Sequence, residues 1–209
     1  MNIFYQLKLL NNIGLVSYIK GIHETLYNKY IQKKFNIDGW HVTGYHLRPY
    51  KSQVVDLINN LKPNSILEVG CGLADILSKI NCPNKIGIDS DPNVIKAANY
   101  IHRKQKINFI TASLEESFEG IISSNIEKVD ILLLVNWIHQ IPFDVLYLHI
   151  YKLISYFEVK YIILDIIEPN AIGYRYHHSI SQLEKMGSIV NRVQDIDKIR
   201  IFVVISPNK

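Results

Sequence analysis

Two short stretches carry residues whose types and spacing suit one kind of chemistry. In Ser65-Ile-Leu-Glu-Val-Gly-Cys-Gly-Leu-Ala-Asp75, an apolar run ends in an acid, Glu68, and two glycines, Gly70 and Gly72. In Lys85-Ile-Gly-Ile-Asp-Ser-Asp-Pro92, a second apolar run ends in Asp89, twenty-one residues beyond Glu68. A strand that turns through glycines lets backbone N–H groups approach a ligand closely, and an acid ending the next strand accepts the hydroxyls of a ribose. The pattern is that of a nucleoside-cofactor site. A dinucleotide fingerprint requires Gly-x-Gly-x-x-Gly, and here the third position is Asp75, whose carboxylate would face a pyrophosphate. A P-loop is excluded because no Gly-Lys-Ser/Thr follows.

The spacing Glu68-x-Gly70-x-Gly72-x-Ala74 resembles motif I of the class I S-adenosylmethionine (SAM) methyltransferases, Glu-x-Gly-x-Gly-x-Gly, with Ala74 in place of the third glycine. SAM carries no phosphate, and its amino group and sulfonium are cationic, so nearby acids are favourable. The resemblance implies that Glu68, Gly70, Cys71 and Gly72 wrap the methionine part and that Asp89 takes the ribose hydroxyls. It also implies that Ser90 flanks the adenine and that Ser113 and Leu114 meet its edge, Ser113 standing where the family often has an acid. Residues upstream of the first helix of that domain commonly close over SAM. In Tyr45-His-Leu-Arg-Pro-Tyr50, Arg48 suits the methionine carboxylate, and Tyr45 or Tyr50 suits the sulfonium.

The acceptor side should begin at Asn136-Trp-Ile-His-Gln140, where a central strand ends. Asn136 is expected at the junction of cofactor and acceptor. The stretch is not the Asn/Asp-Pro-Pro-Tyr/Phe motif with which enzymes that methylate adenine or glutamine nitrogen hold a planar amine. His139 is the first candidate for a base that takes a proton from an acceptor hydroxyl, because an imidazole titrates near neutrality. His178, within Tyr174-Arg-Tyr-His-His-Ser179, is the second, beside His177. SAM is already activated, so direct displacement needs positioning rather than a metal, and no metal is expected.

The elements that must position these groups follow from periodicity. Apolar residues at three- and four-residue steps (Ile13, Val16, Ile19, Ile22, Leu26, Tyr30) predict a helix over 3–36, with Gly14 and Gly21 marking a bend. A helix over 50–61 leads to strands at 65–69, 85–89, 107–111, 129–135 and 161–165. Helices are expected to start near Asp75, Pro92, Leu114 and Pro142. Alternation of this kind means a doubly wound, mostly parallel sheet. The runs 187–194 and 200–206 leave no room for a crossover helix and should pair as an antiparallel hairpin. Five parallel strands plus a terminal hairpin resemble the seven-stranded Rossmann-like methyltransferase sheet. The expected organisation is a helical extension or lid over 1–49 and a SAM-binding domain over 50–209.

Composition agrees with one domain: 209 residues, 48% of them hydrophobic, suffice for a full core. Two cysteines, one inside the glycine loop, point to a reducing compartment, and a cytoplasmic enzyme is expected. No apolar run approaches the length of a membrane span. Charge is uneven: residues 1–52 hold seven Lys/Arg against Glu24 and Asp38, in a chain of net charge +4. The expected function is SAM-dependent methyl transfer to a polar small-molecule or saccharide acceptor, at a hydroxyl, in the manner of bacterial surface-polysaccharide or natural-product methyltransferases. Nucleic acid is not the favoured partner. The alternatives are an RNA methyltransferase that uses the basic segment and a non-catalytic SAM-binding subunit.

Overall fold

The computed structural model describes residues 3–116, 128–169, 171 and 173–208. Seven strands form one sheet: β1 Ser65–Val69, β2 Asn84–Asp89, β3 Asn108–Thr111, β4 Lys128–Leu134, β5 Glu158–Ile167, β6 Gly187–Gln194 and β7 Arg200–Pro207. Their order is β3-β2-β1-β4-β5-β7-β6. The pairs β2–β3, β1–β2, β1–β4 and β4–β5 are parallel, whereas β7 is antiparallel to both β5 and β6. The doubly wound sheet and its terminal hairpin therefore stand as the sequence implies. The order reverses between β1 and β4, and in such sheets ligands bind at the carboxyl ends on either side of that point.

Side chains alternate across the pleat, so each central strand feeds two cores. Leu67, Val69, Leu132, Leu134, Ile162 and Leu164 pack on one face with Phe143, Leu146, Ile150 and Leu153. Ile66, Ile131, Leu133 and Ile163 pack on the other with Val54, Val55 and Ile58. The helices that supply these residues are α2 (Tyr50–Leu61) and, in our numbering, α4 (Phe143–Tyr156). Helix α3 (Pro92–Ile101) is capped by Asp91, whose side chain accepts from the Asn93 N–H at 2.7 Å, with Pro92 in the first turn. A short α5 (Ile180–Leu183) begins with a capping box between Ser179 and Gln182.

Three expectations change. No α-helix starts at Asp75: Gly70, Gly72 and Ala74 all take positive φ, and only a 3-10 turn, Leu77–Lys79, fits before β2. Ala74 at φ 59° occupies the left-handed conformation that a glycine adopts freely, which gives the glycine of the family pattern a backbone reason. In α1 (Ile3–Phe35) Gly14 breaks the helix at φ 75°, but the helix runs straight through Gly21. There the absent side chain makes room for Leu47, which a Cβ would overlap. Strand β5 continues past Asp165 to Ile167, which makes Asp165 an interior residue of the sheet. The helix expected to begin near Leu114 falls largely on 117–127, outside the described residues.

Candidate cofactor and acceptor site

At the carboxyl ends of β1, β2 and β4 lies a cavity of about 320 Å³. Its wall includes Glu68, Gly70, Cys71 and Gly72 from the β1 turn, Asp89 and Ser90 after β2, Ser113 and Leu114 after β3, and Asn136 after β4. Arg48 closes it from the segment before α2. The structure thus brings ten of the eleven residues expected at a cofactor to one cavity.

The glycine turn is built for close approach. Gly70 at φ 71° carries the Trp137 indole where a Cβ would stand, and the Trp137 Nε1–H donates to the Val69 carbonyl at 2.6 Å. At Gly72, φ 55°, a Cβ would come within 2.9 Å of His41 Nδ1. The Gly72 N–H donates to Asp89 Oδ2 at 2.9 Å, and the Asp91 N–H to Asp89 Oδ1 at 3.1 Å. Asp89 therefore ties the two turns together while its carboxylate lines the cavity. Asp91 does the capping of α3, which leaves Asp89 free of that duty.

Glu68 is buried, and its Oε2 has no hydrogen-bond partner among the described residues. Burial pushes its carboxyl up to about 8, opposed by the charge of Lys51. The Lys51 Nζ instead pairs with Asp75 Oδ2 at 2.5 Å. Burial alone would raise Asp75, but the Lys51 charge and hydrogen bond outweigh it and hold the carboxyl below its ordinary range. Asp75 thus keeps its negative charge, paired with Lys51, in the wall of the same cavity. An orphaned buried carboxylate oxygen, a glycine cradle and an acid at the end of β2 fit a cationic, phosphate-free nucleoside, and they fit SAM. Glu68 and the glycine turn would hold its methionine part, Asp89 its ribose, and Ser113 and Leu114 the base.

A second cavity, of about 270 Å³, adjoins the first and shares Trp40, Arg48, Tyr50 and Asn136 with it. Tyr174, Asp195, Asp197 and Arg200 complete its polar lining. Arg200 is the hub here. Its Nη1 donates to Asp165 Oδ2 at 2.7 Å, its Nη2 to the Tyr174 hydroxyl at 3.0 Å, and its guanidinium lies 4.0 Å from the centre of the Tyr50 ring. The Asn136 N–H donates to Asp165 Oδ1 at 2.8 Å, which fixes Asn136 at φ 79°. Burial of Arg200 is offset by the charge of Asp165, so the guanidinium holds its proton more tightly than usual.

Three expected site residues are not where chemistry needs them. Tyr45 packs in the α2 core beneath Lys79, and burial raises its hydroxyl to about 12; Tyr50, not Tyr45, faces the cavities. His139 is fully buried and lines neither cavity. Its ring stacks on His178, meets the Tyr174 ring edge-on and stands 3.4 Å from Asp165. His178 is also buried, lines neither cavity, and donates from Nε2 to the Ile138 carbonyl at 3.1 Å. Burial lowers its affinity for a proton. The 3-10 turn Trp137–Gln140 carries position 139 inward and presents Trp137 to the cavity, and the His178 ring packs against His139 and against Phe143 of α4. Trp137, Lys51 and Arg200 were not singled out from sequence. Trp137 had a signal, its place directly after Asn136 at a strand end, whereas Arg200 lies far along the chain and had none.

Sheet order and cavity together define the fold of the class I SAM-dependent methyltransferases. Magnesium protoporphyrin IX methyltransferase (ChlM) from Synechocystis PCC 6803, solved with bound SAH, is similar at 13% identity, a TM-score of 0.61, and coverage of 91% of this chain and 99% of its own. The N-methyltransferase NodS from Bradyrhizobium japonicum WM9 is similar at 15% identity and a TM-score of 0.62, covering 78% and 96%. WbdD is similar at 16% identity and a TM-score of 0.54, covering 76% of this chain and 40% of its own. No protein-family model and no curated protein matches the sequence.

Proposed function

We propose that the chain is a SAM-dependent methyltransferase that acts on a polar small-molecule or saccharide acceptor, at a hydroxyl, held in the second cavity. The observation that carries the reading is the convergence of the unpartnered Glu68 Oε2, the Gly70–Gly72 turn and Asp89 in one cavity that shares its wall with another. When bound, SAM supplies an electrophilic sulfonium methyl. The chain's own contribution is then mainly position: Asn136 and Tyr50 border both cavities, and Trp137 walls the first beside them.

The Tyr174 oxygen accepts from Arg200, so its hydroxyl orients the acceptor oxygen, and the proton that the acceptor loses as the methyl is transferred passes to the Asp197 carboxylate in the lining of the second cavity. His139 acts through Asp165 and Arg200, as a positioning residue, rather than as the base. The expected cytoplasmic location and the lid role of residues 1–49 belong to the same reading. The Asn12 amide supports the lid, since it reaches Asp197 on the rim of the second cavity at 3.3 Å. Calorimetry with SAM, SAH and NAD tests the cofactor: SAM and SAH should bind at micromolar-type affinity and NAD should not. NAD binding without SAM binding overturns the proposal. A panel of glycans and hydroxylated metabolites assayed with methyl-labelled SAM then identifies the acceptor.

A further inference from the structure

Helix α1 is inside out over 15–28. There the side it turns to the body of the protein is small and polar, and buried apolar packing returns only at Ile31 and Phe35. Gly21 receives Leu47, Glu24 accepts from the His46 N–H at 3.0 Å, Thr25 Oγ1 accepts from the Gly44 N–H at 2.9 Å, and Asn28 is buried. The side it turns away is apolar. Leu15, Val16, Ile19, Ile22, Leu26 and Tyr30 fall on one arc at helical spacing, and all are exposed, Val16 at 68% and Leu26 at 60%. Single exposed leucines are ordinary, but an apolar arc along about four turns marks a surface that meets something.

The charges around the arc say what. Lys20, Lys29 and Lys33 stand exposed beside it or at its end, and residues 1–23 contain no Asp or Glu. Glu24, the one acid of the helix, is turned inward and engaged with His46. A second copy docked through the same surface would bring lysines to lysines with no carboxylate between them. An apolar stripe bordered by lysines that reach sideways instead matches a bilayer interface carrying anionic headgroups. None of the helices among the described residues is long and apolar enough to cross a membrane. We infer that α1 lies along the surface of an anionic lipid bilayer, with Ile19, Ile22 and Leu26 inserted at the acyl boundary and its lysines among the headgroups. The surface is independent of cofactor binding.

The test is co-sedimentation of the full chain with vesicles of phosphatidylcholine alone and of phosphatidylcholine mixed with phosphatidylglycerol. The protein should partition onto the mixed vesicles and much less onto the neutral ones, with binding weakened by salt. The double variant Ile19→Ser/Leu26→Ser should lower partition roughly tenfold or more. Lys20→Glu/Lys29→Glu should lower it by about fivefold per charge removed and flatten the salt dependence. Both variants should keep the wild-type melting curve and SAM affinity, because these side chains touch neither core nor cavity. Vesicle binding unchanged by the serine variant overturns the inference, as does no partition at low salt. So does a dimer that the serine variant dissolves, or RNA binding with a steep salt slope in place of vesicle binding.

Discussion

The backbone N–H of Gly72 and the carboxylate of Asp89 meet at 2.9 Å, so the turn after β1 is hydrogen-bonded to the residue that ends β2. One side chain thus sets the shape of the glycine cradle and offers its remaining lone pairs to the cavity. Asp89→Ala should weaken SAM binding by more than a ribose contact alone predicts, by about 2–3 kcal/mol, because the Gly72 and Asp91 N–H groups also lose their acceptor. Calorimetry measures it. Binding within twofold of wild type would remove Asp89 from the site.

Glu68 is expected to make SAM binding pH-dependent. Its carboxyl, raised to about 8 by burial, is mostly protonated in the free protein at neutral pH. A cationic ligand beside it favours the ionised form, so SAM should bind with proton release and more tightly as pH rises toward 8. Titrations in two buffers of different ionisation enthalpy should give different heats, and Glu68→Gln should abolish the difference. The same shift acts on folding with a fixed sign. A carboxyl raised in the folded state contributes stability that is fully present below its ordinary value of 4.5 and is lost as pH climbs through about 8. Glu68→Gln should therefore lose less stability than wild type between pH 6 and 9 in thermal melts.

Asp165 titrates in the opposite sense. Burial would raise it, yet the His139 imidazole 3.4 Å away and the Arg200 charge prevail and hold it below the ordinary carboxyl range. Its contribution is present above the ordinary value of 3.8 and disappears as pH falls through the lower folded value. Arg200→Met leaves a buried carboxylate unpaired and should cost about 3–5 kcal/mol in denaturant unfolding at neutral pH. Adding Asp165→Asn should recover part of that loss. Equal stability of Arg200→Met and wild type would mean that the pair does not hold β5 to β7.

His139→Ala should reduce stability by about 2–4 kcal/mol through the cavity it opens beside Asp165, and leave SAM affinity nearly intact. Thermal melts and calorimetry separate the two effects. With an acceptor in hand, a variant that melts like wild type yet loses turnover about 10²–10⁴-fold, together with the lower limb of its pH–rate profile, would restore the histidine as the base.

The cavity at the ends of β1 and β2 was legible in the sequence because its residues are local. A strand, its glycine turn and the acid ending the next strand fall within Glu68 to Asp89, and backbone geometry alone requires glycine there and an acceptor at the strand end. The hairpin 187–207 was legible for a similar reason, since too few residues separate its strands for any other connection. The acceptor side was not. Whether position 139 points into the cavity or beneath α4 depends on the phase of one 3-10 turn, and sequence spacing does not fix that phase. Arg200 became a hub only when β7 was laid against β5, which set it beside Asp165, thirty-five residues away in the chain. The apolar stripe of α1 was visible as a helix, but which side it turned to solvent was decided by Gly21, Glu24 and Thr25 finding partners at Gly44–Leu47. Periodicity reports that a helix has two unlike faces. Only packing decides which of them is inside.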